Sequence, residues 1–215
     1  MKIGILGTGM VGSTLGSKLV QLHHEVMMGS RTAGNQKAID WSKSNGATAS
    51  NGTFADAASF GEILFNCTHG AVSLDALRLA GEKNIGAKIL VDVSNPLDFS
   101  KGMPPSLVVC NTDSLGEQIQ RAFPQAKVVK ALNTVNCSLM VDPSPLHGEH
   151  DIFIAGNDTD AKRKVTDMLM NWFGWKSVVD LGDITGARAQ EMILPMWVRL
   201  MGVFKSPAFN FKIVR

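Results

Sequence analysis

Residues Lys2–Ser30 read KIGILGTGMVGSTLGSKLVQLHHEVMMGS. An apolar run, Ile3-Gly4-Ile5-Leu6, leads directly into a glycine loop, Gly7-Thr8-Gly9-Met10-Val11-Gly12. Val11, Leu15, Leu19 and Leu22 then fall on one side of a helix, and Val26-Met27-Met28 closes the unit. Strand, glycine turn, helix and strand within about 30 residues form the context a dinucleotide fingerprint requires. Each glycine has a physical task. Gly7 permits the tight turn, Gly9 lets a pyrophosphate approach the backbone, and Gly12 lets helix and sheet pack closely. The free N–H groups and the positive end of the helix dipole then face the anion.

The end of the second strand addresses the choice of nucleotide. An NAD site carries Asp or Glu there, on the ribose 2′-OH. This chain has Gly29-Ser30-Arg31-Thr32, with Lys37 further on. No acid repels a 2′-phosphate, Ser30 and Thr32 offer hydroxyls, and Arg31 offers a planar fork of donors. The pattern predicts NADP(H).

Outward from this unit, short apolar runs alternate with helical patterns. Helices are expected at Gln36–Ser44, at Thr53–Phe60 with Thr53 as cap and Asp56 in the first turn, at Leu74–Leu79 and at Ser114–Phe123. Strands are expected near Ala47–Ala49 and at Glu62–Cys67, Lys88–Val93 and Lys127–Leu132. The alternation predicts an α/β, Rossmann-type, doubly wound parallel sheet over residues 1–135. Leu97–Pro105, Asn136–Val141 and Asp142–Glu149 read as irregular connections. Residues 136–215 are expected to form a smaller αβ extension for acceptor binding and dimerisation. It contains Asp151–Ala155, an amphipathic helix Asp158–Trp172, Ser177–Asp180 and a long apolar helix Ile184–Phe204, with a kink placed at Pro195.

Ligands in such sheets bind beyond the carboxyl ends of the strands. Cys67-Thr68-His69, Ser94-Asn95-Pro96 and Asn133-Thr134 end three of them and are expected around the cofactor's redox ring. On the extension, Met192, Met196, Trp197 and Met201 form an apolar stripe containing Arg199. Part of it is a candidate to touch a flat substrate.

The totals narrow the chemistry. The chain has 215 residues, 45% of them hydrophobic and 19% charged, and a net charge of +2. That composition supports a sizeable core and argues against a nucleic-acid partner. The three cysteines, Cys67, Cys110 and Cys137, form no paired framework and suit a reducing, cytoplasmic setting. The N-terminus has no apolar signal core, and Met192–Phe204 is too short and interrupted to span a bilayer. With no tyrosine, a Tyr–Lys proton relay is impossible. No Cys/His cluster resembles a catalytic zinc site, and His147 and His150 fall in a Pro/Gly-rich connection. Cys67 and His69 share one face of an extended strand, but a lining role is favoured over nucleophilic catalysis.

The segments GTGMVGSTLGSKL, HEVMMGSRT, VDVSNP, KALNTVN and EMILPMWVRLMG span nearly the whole chain. Through them it resembles the F-420:NADP oxidoreductases, which pass hydride between NADPH and the deazaflavin coenzyme F-420. It is also similar to the reductase domain of six-transmembrane metalloreductases. The resemblance implies that Thr8, Met10, Ser30 and Arg31 hold NADP, and that Asn133, Thr134 and Val135 lie near the nicotinamide and the deazaflavin. The chain departs from the family where archaeal members carry His before Thr, here Asn133. It departs again in CTHGAV after Asn66, which lacks the usual Pro and Trp. Both changes fall on the acceptor side. The resemblance thus carries NADP over, while the acceptor reads as a deazaflavin or another flat ring such as a flavin. The residue types suit that chemistry, because hydride transfer between flat rings needs close positioning and little acid–base help. Two other readings are an NADP-sensing regulator without turnover and a reductase of small carbonyls or imines. The apolar closing helix implies a homodimer, since one domain covers only one side of it.

Overall fold

The computed structural model describes all residues, 1–215. The chain begins with β1 (Lys2–Leu6), α1 (Met10–Gln21), β2 (Glu25–Ser30), α2 (Gln36–Ser44), β3 (Ala49–Thr53), α3 (Phe54–Phe60) and β4 (Ile63–Asn66). After a 3-10 turn at Gly70–Val72 come α4 (Ser73–Ala80), α5 (Glu82–Ile85), β5 (Ile89–Asp92), the short β6 (Leu97–Asp98) and β7 (Ser106–Leu107), α6 (Leu115–Ala122) and β8 (Lys127–Ala131). The remainder is α7 (Cys137–Val141), β9 (Ile152–Gly156), α8 (Thr159–Phe173), β10 (Val178–Asp180), a 3-10 turn at Ile184–Gly186, α9 (Ala187–Met192) and α10 (Leu194–Phe204).

Eight strands form one sheet in the order β10-β9-β8-β5-β4-β1-β2-β3. The six from β3 to β8 run parallel, as the alternation predicts. β9 joins antiparallel to β8, with Val129 opposite Gly156, and β10 lies parallel to β9. Residues 136–215 therefore begin by extending the same sheet.

The strands are apolar on both faces because each face is covered. Ile3, Ile5, Ile63, Phe65, Ile89, Val91 and Val129 point to the layer holding Leu15 and Leu19 of α1, Trp41 of α2 and Val165 and Met168 of α8. Leu6, Leu64, Leu90 and Val128 point to the layer of Ala57, Leu77, Leu115 and Ile119. Period-2 alternation between two buried faces is what a doubly wound sheet demands. Local chemistry fixes the helix starts. Thr53 and Asp56 form the capping box that opens α3, and Asn35, Ser114 and Asp158 cap α2, α6 and α8.

Four expectations require correction. The strand placed at Ala47–Ala49 lies at Ala49–Thr53, where pairing with β2 overrides a polar, glycine-containing sequence. Asn136–Val141 is a short helix rather than a connection, because the Asn136 side chain accepts the N–H of Ser138 and starts it. Leu97–Pro105 is not wholly irregular, since Leu97-Asp98 pairs with Ser106-Leu107. The closing helix is present but divided at Ile193, just before the anticipated kink at Pro195, whose ring has no N–H to continue the ladder. Within one chain it is also far from buried all round: Leu194 and Val198 are buried, whereas Met196 is 56% exposed and Phe204 likewise 56%. No helix is long and apolar enough to cross a membrane.

Candidate functional site

The glycine loop leaves β1 at Gly7, whose φ of +122° is a conformation closed to most side chains. Its N–H donates to the Gly29 carbonyl at 3.0 Å, tying the loop to the end of β2. A Cβ at Gly7 would stand 2.6 Å from the Cys67 carbonyl oxygen, and one at Gly12 would stand 2.1 Å from the Gly7 carbonyl oxygen. These two positions hold the turn against β4 and α1 against the turn. Gly9 differs: a Cβ there would meet nothing within 4 Å, and no side chain caps the helix it opens. The first N–H groups of α1 therefore look onto open space, flanked by Thr8 and by Met10, which is exposed. An uncapped helix start of this kind suits an anion.

At the end of β2, Ser30 is buried and its hydroxyl donates to the Thr32 carbonyl at 2.5 Å. Its proton is already committed. Arg31 and Thr32 are exposed, and Arg31 has no ion-pair or hydrogen-bond partner within the chain. The cation suited to a phosphate is free to turn toward one.

The other strand ends adjoin in series. A Cβ at Gly70 would stand 2.0 Å from the Asn95 carbonyl oxygen, so the loop after β4 lies directly on the loop after β5. Asn95 and Asn133 then join β5 to β8 reciprocally. Asn133 Nδ2 donates to Asn95 Oδ1 at 2.9 Å, and Asn95 Nδ2 donates to the Asn133 carbonyl at 2.9 Å. Asn133 Nδ2 also donates to the Gln190 carbonyl at 2.9 Å, which brings α9 to the same place. Pro96, Thr134 and Val135 are buried beside this pair, and the Thr134 hydroxyl has no partner. Thus the glycine loop, Cys67–His69, Ser94–Pro96 and Asn133–Val135 form one continuous edge. Met196 and Arg199 do not join it through any hydrogen bond or ion pair, and both lie on exposed parts of α10.

The acid–base capacity of this edge is small. Burial pushes the Cys67 thiol far above its ordinary range, and the Asp92 carboxylate adds to the effect, which disfavours a thiolate there. Thr68 donates to Asn66 Oδ1 at 2.7 Å, and His69 Nδ1 accepts the Ala71 N–H at 3.3 Å. No group of three or more His, Cys, Asp and Glu side chains is placed to hold a metal. A cavity of about 620 Å³ opens at the opposite, amino end of the sheet, between α8 and Met1, Ile63 and Ile89, remote from every group named above.

Beneath the edge lies a buried polar network that sequence reasoning did not find. Asp92 and Lys130 sit opposite each other in the register of β5 and β8 and pair at 2.8 Å, and Lys130 also pairs with Glu191 of α9 at 2.8 Å. Their mutual attraction offsets the burial that would otherwise lower the Lys130 pKa, and raises it instead. The available signal was one charge inside each apolar run, Asp92 in KILVDV and Lys130 in KVVKAL.

A mostly parallel sheet with a glycine turn opening onto a bare helix N-terminus defines a Rossmann dinucleotide-binding protein. The family model described as "NADP oxidoreductase coenzyme F420-dependent" matches residues 2–96. An F420-dependent NADP reductase from Methanocaldococcus jannaschii is 29% identical over 222 residues, covering 99% of this chain and 98% of the relative. A crystal structure from Arthrobacter sp. FB24, provisionally described as an F420-dependent NADP-reductase, superposes with a TM-score of 0.96 at 50% identity over 100% of both chains. The rat metalloreductase STEAP3 is 29% identical over 201 residues, 91% of this chain but 38% of that protein. The chain belongs to the family of coenzyme F420-dependent NADP oxidoreductases, and is accordingly an NADP-dependent oxidoreductase.

Proposed function

We propose that the protein passes a hydride between NADPH and a flat-ring acceptor, a deazaflavin of the F-420 type or a flavin, in the cytoplasm. The supporting observation is the pairing of a glycine turn that opens on an uncapped helix start, with Arg31 exposed nearby, and an edge whose polar side chains are mostly committed to one another and offer little acid–base capacity. In this reading the N–H groups of Met10 and Val11 hold the pyrophosphate, with Gly7, Thr8, Gly9 and Gly12 shaping the approach. Arg31 takes the 2′-phosphate, with the Thr32 hydroxyl beside it. Ser30, whose proton is spent within the protein, retains only its acceptor lone pairs for the ribose.

NADPH, when bound, supplies the hydride. The chain's own residues orient the two rings and exclude water. Cys67, Thr68, His69, Ser94, Asn95 and Pro96 line the nicotinamide side. Asn133, Thr134 and Val135 lie beside both rings where these meet, and Met196 and Arg199 attend the acceptor. Asn133 is hydrogen-bonded to saturation at its amide nitrogen, so it acts by holding the edge in shape. Placing two reacting carbons in contact supplies a large part of the barrier reduction without proton transfer.

The test is a screen of NADPH oxidation against deazaflavin, FMN, FAD and ferric chelates. Turnover with deazaflavin or a flavin supports the proposal. Tight NADPH binding with no turnover on any acceptor overturns it in favour of a redox-sensing role.

A further inference from the structure

Asp92, Lys130 and Glu191 are at most 1% exposed, and none is among the residues assigned to either ring. Lys130 Nζ has three protons and uses each: on Asp92 Oδ2 at 2.8 Å, on Glu191 Oε1 at 2.8 Å and on the Ser94 carbonyl at 2.5 Å. Glu191 also accepts the N–H groups of Leu115 and Gly116 at 2.8 and 3.0 Å, so it caps α6. Asp92 Oδ1 accepts from Ser94 Oγ at 2.7 Å and from Asn66 Nδ2 at 2.8 Å, and Asn66 receives Thr68. One chain of bonds thus runs from the loop after β4, across the ends of β5 and β8, to α9 and α6. Gln190, beside Glu191, donates to the Phe153 carbonyl at 3.0 Å and fixes the same helix to β9.

Buried ion pairs are often no more stabilising than apolar side chains of the same volume. Stability is therefore a weak reason for three buried charges, and what they join is a better one. They fasten the strand ends that line the cofactor to α9, which leads directly into α10 on the acceptor side.

We propose that Lys130 and Glu191 are positioning residues that set the height of α9 and α10 above the carboxyl ends of β5 and β8, and with it the gap the hydride crosses. The proposal rests on the hydride-transfer reading above. They act through α9 rather than on either ring.

The variants are Glu191→Gln, which keeps the side-chain shape and removes one charge, and Lys130→Met. In each, NADPH affinity is read by quenching of tryptophan fluorescence, turnover by deazaflavin reduction, and local opening by amide hydrogen exchange. In Glu191→Gln, NADPH affinity should stay unchanged while kcat falls about 10- to 100-fold, as for a misplaced reacting pair. Lys130→Met, which also releases the Ser94 carbonyl, should lose more in kcat than in affinity. The kinetic isotope effect with NADPH deuterated at the transferred position should rise, because hydride transfer becomes the slow step. Exchange should accelerate in Met192–Phe204 and stay unchanged in Lys2–Val11. Unchanged exchange in Met192–Phe204 overturns the proposal, as does a parallel loss of kcat and NADPH affinity. Where Lys130→Met fails to fold, Glu191→Gln decides. Where the unaltered protein reduces no deazaflavin or flavin, the functional reading fails, and the exchange measurement still decides whether the triad holds α9 and α10.

Discussion

Arg31 stands exposed at the end of β2 without a partner, next to a serine whose proton is already used. One charge-assisted phosphate contact is worth about 1.5–3 kcal/mol, roughly 10- to 100-fold in affinity. Arg31→Ala should weaken NADPH by that factor in titration calorimetry and leave NADH nearly unaffected. Equal losses for both nucleotides would place the 2′-phosphate elsewhere. Gly9 separates binding from folding, because a Cβ there meets nothing within 4 Å beyond its neighbours in the chain. Gly9→Val should abolish NADPH binding with the thermal midpoint preserved. Gly12→Ala should instead lower the midpoint, since its Cβ would collide with the Gly7 carbonyl. Lys130→Met leaves two carboxylates buried against each other and should cost about 3–5 kcal/mol in denaturant unfolding.

Elements whose boundaries are set by neighbours in sequence were legible, and those set by distant contacts were not. The α3 start could be read from Thr53 and Asp56 because a capping box is local chemistry. Five of the six parallel strands could be read because a run buried on both faces is apolar throughout. β3 was mislocated because its sequence, ASNGT, has no apolar signal and takes its shape from β2. The Asp92–Lys130–Glu191 triad was invisible for a related reason: its members lie far apart in sequence and meet only through the register of β5 with β8 and the docking of α9. The binding loop was therefore legible and its supporting floor was not. The start of α6 offers a test at this scale. The Arg121 guanidinium donates to both oxygens of Asp113, at 3.0 and 2.7 Å, and holds its carboxyl down to about 2. A pKa depressed in the folded state stabilises above the ordinary carboxylate value and loses that contribution as pH falls through the folded value. Arg121 is well exposed, so the pair is worth only about 0.2–1 kcal/mol after screening. Asp113→Asn should cost that amount at neutral pH and nothing below pH about 2, as read by denaturant melts across the range. An equal cost at both ends would assign the effect to the α6 cap rather than to the ion pair.

The whole chain covers only part of its closing helix. Leu194 and Val198 of α10 are buried, and the C-terminal tail lays Phe209 against Trp197 and Phe204 at ring separations of 5.3 and 5.5 Å. Met196 and Val203 remain 56% and 63% exposed, with Met192 at 39%, and Arg199 has no counter-ion within the chain. Scattered apolar residues are ordinary on a surface, but several on one helix beside an unpaired cation suit an interaction face. We propose a second copy of the chain as its cover, through a two-fold interface, because an isologous contact lets the same helix serve both sides and terminates the assembly. Light scattering at micromolar protein should then give twice the 23.1 kDa of one chain. Met196→Glu places a carboxylate in the centre of the contact and should shift the protein to monomer or aggregate. Because Glu191, Gln190 and Asn133 link α9 to the strand ends, losing the partner should loosen α10 and lower acceptor turnover more than NADPH binding. A monomer in the unaltered protein would refute the dimer, while a monomeric Met196→Glu variant with full turnover would detach α10 from the reaction.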